Sequence, residues 1–286
     1  GTPSVLTEKD LTGIIDFVRS HFPISPGLEI TLEANPDDLT TSYLQQIYNA
    51  GVRRLSIGIQ SFQDELLKKM NRRHDSGQAV EAIKNAAKTG FNDISVDFIY
   101  GLPGLSNQQW KTDLQKVFSL PVTHLSAYHL TYHEGTPFNT WLKKGTLKQL
   151  TETESISQFE TLVALARENG FEHYEISNFA RNGMHSKHNT SYWTGKKYLG
   201  LGPSAHSFNG YSRRWNVAHI EKYIRATELN EPFSEEEILT DANRYNEYVL
   251  THIRTIWGVS VGEIQNQFGT GKAVYFQQNI EKYLRS

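Results

Sequence analysis

The 286 residues contain no cysteine. Disulfides, thiolate zinc sites and any cysteine-held iron–sulfur cluster within these residues are therefore excluded. Neither sign of charge dominates. Lys and Arg number 29 against 31 Asp and Glu, a net charge of -2. No basic surplus exists to neutralise phosphates, which argues against nucleic acid as a partner. No apolar run approaches the length of a membrane span, and no charged-then-apolar leader opens the chain. A cytoplasmic protein without a membrane span is the simplest expectation. An initiator Met is also lacking. The chain starts Gly1-Thr2-Pro3-Ser4 and stops inside a helical pattern, Gln278 to Ser286, with no cap after it. A piece of a longer protein is expected.

What is present reads as a globular α/β protein. Thirty-eight per cent apolar residues over this length support one large core and leave room for a smaller second domain. Up to about residue 180, strand-like and helix-like segments alternate, as in βα units feeding a parallel sheet. Thr7 is placed to cap a helix carrying Leu11, Ile14, Ile15 and Val18. A strand over 28–32, a helix over 41–49 ending at Gly51 and a strand over 54–59 follow. A helix over 76–89 closes at Gly90, the next helix begins at Ser106, and a strand covers 124–129. A long helix over 151–169 ends at Gly170 and leads to a strand over 174–176. These units fit an open doubly wound sheet or part of a (βα) barrel. No Gly-x-Gly-x-x-Gly turn follows an early strand, so the dinucleotide form of the open sheet loses its main support. Near Thr240 the pattern changes to consecutive helices, with Tyr245, Tyr248, Val249, Ile253 and Ile256 as an apolar stripe. The expected division is 1–214 for the βα part and 215–286 for a helical C-terminal region.

Four polar residues stand at or just after strand-like runs: Glu33, Gln60, Arg72 and Asp97. In parallel α/β folds such positions converge on one rim, where ligands bind. The Arg72 guanidinium suits a carboxylate, Glu33 and Asp97 can accept from an ammonium group or vicinal hydroxyls, and Gln60 can do both. Any one alone would be an ordinary strand-end polar group; four together suit a zwitterionic ligand carrying hydroxyls. Gly1-Thr2-Pro3 and Tyr100 to Gly104 would bring backbone close to that rim. A second cluster is His185, His188, Tyr192 and Trp193, followed by Tyr198, His206 and Phe208. Imidazoles beside aromatic rings could ligate or pack against a flat macrocycle. Three other matches carry nothing. Pro203 spoils a dinucleotide turn at Gly200 to Ala205, Asn189-Thr190-Ser191 means little without secretion, and His124 and His129 fall on opposite faces of one strand.

Taken in order, the starting Gly-Thr-Pro-Ser, Glu33 to Pro36, Arg53 to Phe62, Asn71 to His74, Asp97 to Pro103 and Gly200 to Ser207 resemble one family. It is the radical SAM family of oxygen-independent coproporphyrinogen III oxidases and their haem chaperone (HemW) relatives. The resemblance covers most of the chain. It implies a partial (βα)6 TIM-type barrel binding S-adenosylmethionine at the strand C-termini, followed by a helical C-terminal region. It also implies that Gly1 and Thr2 end a glycine-rich element holding the methionine part, and that Glu33, Gln60, Arg72 and Asp97 contact methionine and ribose. Arg72 on the methionine carboxylate and Gln60 with Asp97 near the ribose fit their chemistry best. His188 to Trp193 matches a His-Asn-x-x-Tyr-Trp motif of the chaperone branch, which implies that His185, His188, Tyr192 and Trp193 belong to a haem site. The family's Cys-x3-Cys-x2-Cys loop for a [4Fe-4S] cluster would lie before Gly1. The expected function is a haem chaperone delivering haem to recipient haem proteins. The alternative is the oxidase acting on coproporphyrinogen III; a barrel hydrolase using Glu33 and Asp97 as acid and base leaves Arg72 without a role.

Overall fold

The computed structural model describes residues 2–284. They divide into two compact units, one ending at Ser186 and the other beginning at Lys187. In chain order the first unit contains α1 (Glu8–His21), β1 (Thr31–Ala34), α2 (Thr41–Ala50), β2 (Arg54–Gln60), α3 (Asp64–Lys69), α4 (Ser76–Thr89) and β3 (Asp93–Tyr100). These are followed by α5 (Asn107–Phe118), β4 (His124–His129), α6 (Pro137–Lys143), α7 (Glu152–Glu168), β5 (Glu172–Glu175) and β6 (Asn178–Ala180). The sheet runs β1-β2-β3-β4-β6-β5, with β1 to β4 parallel. This is the α/β partial barrel expected, with helices on one face of a parallel sheet.

Local chemistry accounts for these elements. Asp75 with Gln78, Ser106 with Gln109 and Thr151 with Glu154 form capping boxes at the starts of α4, α5 and α7, satisfying amides that have no partner within the helix. Gly51 and Gly90 end α2 and α4 at φ of 105° and 110°, a conformation that a side chain would strain. The sheet has two unlike faces. Leu55, Ile57 and Ile59 of β2 join Ile94, Val96 and Phe98 of β3 and the helix residues Leu44, Ile47 and Ile83 in one core. The intervening positions are polar. Glu33 stands beside Ser56, Gly58 beside Asp97, and Asp97 beside Ser126.

The fifth strand differs from the expectation. A single parallel strand over 174–176 is replaced by the hairpin β5–β6, and β6 inserts antiparallel between β4 and β5. All three residues of β6 are buried, too short a run to show the alternation by which a strand is recognised.

The second unit contains α8 (Lys187–Trp193), β7 (His206–Phe208), β8 (Ser212–Asn216), α9 (Ile220–Glu228), β9 (Ser234–Ile238), α10 (Asp241–His252), α11 (Val261–Phe268) and α12 (Thr270–Leu284). It is mainly helical but also carries an antiparallel sheet, β7-β8-β9. The sequence places a boundary at 214/215, a position that β8 spans, and the compact units divide instead after Ser186. Acidic residues are poor strand formers, which hides β9 in the sequence. Register explains it: Arg213 faces Glu237 and Arg214 faces Glu236, opposite charges directly across the ladder.

Gln158 of α7 links the helical layer to the loop after β3. Fully buried, it accepts from the Gly101 amide at 2.8 Å and donates to the Leu105 carbonyl at 3.0 Å. Gln158→Ala strands both backbone groups. It is expected to lower unfolding free energy by about 2–4 kcal/mol, as measured by urea denaturation.

Candidate functional site

The strand ends of the first unit build the rim. Glu33 projects from β1 and is exposed. Its register partner in β2 is Ser56, whose hydroxyl lies 3.1 and 3.2 Å from the two carboxylate oxygens of Asp97 in β3. Asp97 in turn is paired in register with Gly58. Gln60 ends β2 next to a bulge and takes φ of 69°, unusual for a residue with a side chain. Arg72 arrives from the connection between α3 and α4. Its Nη2 donates to the Gly58 carbonyl and to Asn35 Oδ1, both at 2.8 Å.

Gly58 lies where these groups converge. A Cβ there would come within 2.9 Å of Gln60 Nε2 and 3.3 Å of Arg72 Nη2. Glycine inside a strand marks close approach by another group, and here the group is the pair of side chains above it. His74 anchors the same connection, with Nε2 3.1 Å from the Ile59 carbonyl. Thr2 opens the short turn Pro3–Val5; within it Ser4 Oγ donates to Asp38 at 2.6 Å and accepts from the Asn35 amide at 3.2 Å. That ties the start of the chain to the loop holding Arg72. Gly1 lies outside the described residues.

Burial pushes the Asp97 carboxyl up to about 6, with the Glu33 charge adding to the rise, while the Ser126 and Ser56 hydroxyls and Arg54 pull the other way. Burial lowers the Arg72 pKa, partly offset by Asp37, yet a guanidinium stays charged. Below the rim the polar face is closed. Arg54 pairs with Asp93 at 3.4 Å, and Ser95, His124 and Tyr174 form a buried chain with 2.7 Å at each step. The arrangement offers acceptors, an amide and a cation along the ends of β1, β2 and β3. No group of three His, Cys, Asp or Glu able to hold a metal occurs among the described residues.

The four rim residues expected from the sequence are thus brought together, while the second set falls in both units, His185 in the first and His188, Tyr192 and Trp193 in the second. His185 belongs to the first unit, where Nε2 meets Glu172 Oε2 at 2.7 Å and the ring stacks on Tyr174 at 4.3 Å. His188 lies in α8 of the second unit, edge-on to Tyr192 at 4.9 Å. Trp193 carries the Arg254 guanidinium 5.5 Å from its ring. Sequence reasoning missed Asn35, Ser56, Gly58 and Ser126 as parts of the rim. Gly58, a glycine within a strand pattern, was the available signal.

The sequence profile of the Radical SAM superfamily matches residues 1–117. The heme chaperone HemW of Bacillus subtilis strain 168 is 34% identical over 271 residues, covering 94% of this chain and 72% of that protein. HemW of Lactococcus lactis is 31% identical over 268 residues, 94% of this chain and 70% of that protein. Among solved structures, the coproporphyrinogen III oxidase (HemN) from Escherichia coli matches with a TM-score of 0.83 at 20% identity, over 100% of this chain and 69% of that one. That last likeness is one of fold. Parallel sheet, polar rim and these relatives together define a radical SAM domain. The chain belongs to the HemW and HemN-like family of radical SAM proteins.

The raised Asp97 value has a consequence for stability. The unfolded chain holds this carboxyl near 3.8 and the folded one near 6, so the contribution of this group to stability is greatest below 3.8 and is lost as pH rises through 6. Asp97→Asn removes the buried charge. At pH 8 it is expected to stabilise the ligand-free protein by about 1–2 kcal/mol, less than the full shift implies because the rim meets solvent. The gain should vanish near pH 4, as followed by chemical denaturation at both pH values.

Proposed function

We propose that this chain is the S-adenosylmethionine-binding and haem-binding part of a radical SAM-type haem chaperone that passes haem to recipient haem proteins in the cytoplasm. One observation carries the S-adenosylmethionine assignment: Gln60, Arg72 and Asp97 come from separate segments and meet around Gly58, with Glu33 linked to Asp97 through Ser56. Arg72 takes the methionine carboxylate through charge-assisted hydrogen bonds. Asp97, ionised above pH 6, accepts from ribose hydroxyls, and Gln60 lies beside it. Glu33, exposed at the rim, completes the acidic side. Thr2 stands on the segment tied to the same loop through Ser4. With the family comes a [4Fe-4S] cluster, whose chemistry is to supply an electron to the sulfonium. This chain has no cysteine, so the cluster ligands would come from outside these residues.

The haem part rests on two HemW proteins that match 94% of the chain and are named heme chaperones. His185, His188, Tyr192 and Trp193 are its starting candidates. Haem-loaded protein mixed with an apo-haem protein should transfer haem to it. Protoporphyrinogen formed from coproporphyrinogen III instead would make the chain part of an oxidase. No helix among the described residues is long and apolar enough to cross a membrane.

Calorimetry tests the rim. Arg72→Ala is expected to weaken S-adenosylmethionine binding by about 10–100-fold. Gly58→Ala should abolish binding with little loss of stability, since the Cβ meets the flexible ends of two side chains. Affinity should also fall as pH drops below about 6, where Asp97 takes up a proton; Asp97→Asn should remove that dependence. Parent-level affinity in Gly58→Ala would contradict the assignment.

A further inference from the structure

The second unit holds a constellation that the rim does not use. A cavity of about 900 Å³ lies within it, near the upper end of the ~300–1,000 Å³ range of small-molecule sites. Its walls are aromatic, with Trp193, Tyr198, Phe208, Tyr211, Tyr248 and Phe268 all on the lining. Tyr198 and Phe208 hold their centroids 6.1 Å apart, and Tyr248 and Phe268 hold theirs 5.9 Å apart. Such faces suit a broad, flat, unsaturated guest.

Charge narrows the guest further. Four cations, Lys196, Lys197, Arg213 and Arg244, share the lining with two carboxylates, Glu247 and Glu263. Arg213 is engaged by Glu247 at 3.1 and 3.0 Å, and Arg244 reaches Asp241 at 2.6 Å. Lys196 and Lys197 are exposed and have no carboxylate within ion-pair distance among the described residues. They remain available to an anionic arm of the guest.

His252 supplies the third feature. It ends α10, is half-buried and lines the same cavity. Its Nδ1 lies 2.8 Å from the Tyr248 carbonyl. A carbonyl only accepts, so Nδ1 carries the proton and Nε2 keeps its lone pair. The ring's other hydrogen-bonding contact, with Thr251 Oγ1 at 3.2 Å, is also made through Nδ1, and the ring lies 4.0 Å from that of Tyr248. A histidine anchored through Nδ1–H to a backbone carbonyl, with Nε2 open, is set up to ligate a metal.

We propose that this cavity seats an iron tetrapyrrole, with His252 Nε2 as the axial ligand and Lys196 and Lys197 on the carboxylate arms. The proposal rests on the haem-binding reading and deepens it by naming the seat and the ligand. Tyr192 and Trp193 line the cavity, whereas His188 is not on its lining. A porphyrinogen is neither planar nor metallated. It would leave the aromatic walls and Nε2 without a counterpart.

Two titrations of the whole chain test this, one with ferric haem followed by its Soret band and one with metal-free protoporphyrin followed by tryptophan quenching. Wild type should bind both. His252→Ala should shift the Soret band and weaken haem binding by about tenfold or more while changing protoporphyrin affinity less than about twofold. Retained protoporphyrin binding shows the cavity still folded. Lys196→Glu combined with Lys197→Glu should weaken both ligands. An unchanged haem spectrum in His252→Ala overturns the ligand assignment, as does a spectrum altered by His188→Ala alone. Unchanged affinities in the lysine double variant overturn the seat. Wild-type protein that binds neither tetrapyrrole contradicts the haem-binding reading itself, a failure visible before any variant is made.

Discussion

Arg72 crosses from the connection between α3 and α4 to the Gly58 carbonyl, 2.8 Å away, and it can approach so closely because position 58 carries no side chain. The same gap accommodates the Gln60 amide. Asp97 lies across the ladder from Gly58, and Glu33 reaches Asp97 through the charge they share and through Ser56 between them. Four side chains from distant parts of the chain therefore depend on one short stretch of β2. Gln60 takes its left-handed φ at the bulge of this same stretch.

The sheet makes this possible by separating two tasks. One face is apolar and packs against the helices, which supplies most of the folding energy. The other carries Glu33, Ser56, Asp97 and Ser126 together with Ile99, and below them lie the Arg54–Asp93 pair and the buried Ser95, His124 and Tyr174 chain. Burial holds the His124 ring neutral by pushing its pKa well below the ordinary value. Beneath the rim, hydrogen bonds satisfy this buried chain, and the Arg54 and Asp93 charges face each other. The carboxyl of Asp97, raised by burial, is held at the rim at some cost in stability above pH 6.

Much of the fold was legible because local signals and tertiary demands agreed. The capping residues Thr7, Ser106 and Thr151 and the C-caps Gly51 and Gly90 mark helices where the sequence predicts them, and the strand over 124–129 agrees to the residue. Glu33, Gln60 and Asp97 were legible as candidates from their chemistry and strand positions, and Arg72, in the connection between α3 and α4, from its chemistry. What escaped was set by pairing rather than by local sequence. The three buried residues of β6 show no period, and the acidic run of β9 becomes a strand because Arg213 and Arg214 lie opposite. Asn35 and Ser56 were invisible as rim residues because their roles come from cross-chain neighbours. His252 escaped for a related reason: its role follows from which ring nitrogen faces the Tyr248 carbonyl.

The central claim is that these rim residues form one site for a sulfonium-bearing amino-acid nucleoside. A crystal structure of the chain with S-adenosylhomocysteine, which keeps the carboxylate and ribose, addresses it most directly. The account predicts the ligand carboxylate on Arg72 and the ribose hydroxyls on Asp97 above Gly58. A ligand seated elsewhere, or one whose ribose and carboxylate touch neither residue, would contradict it.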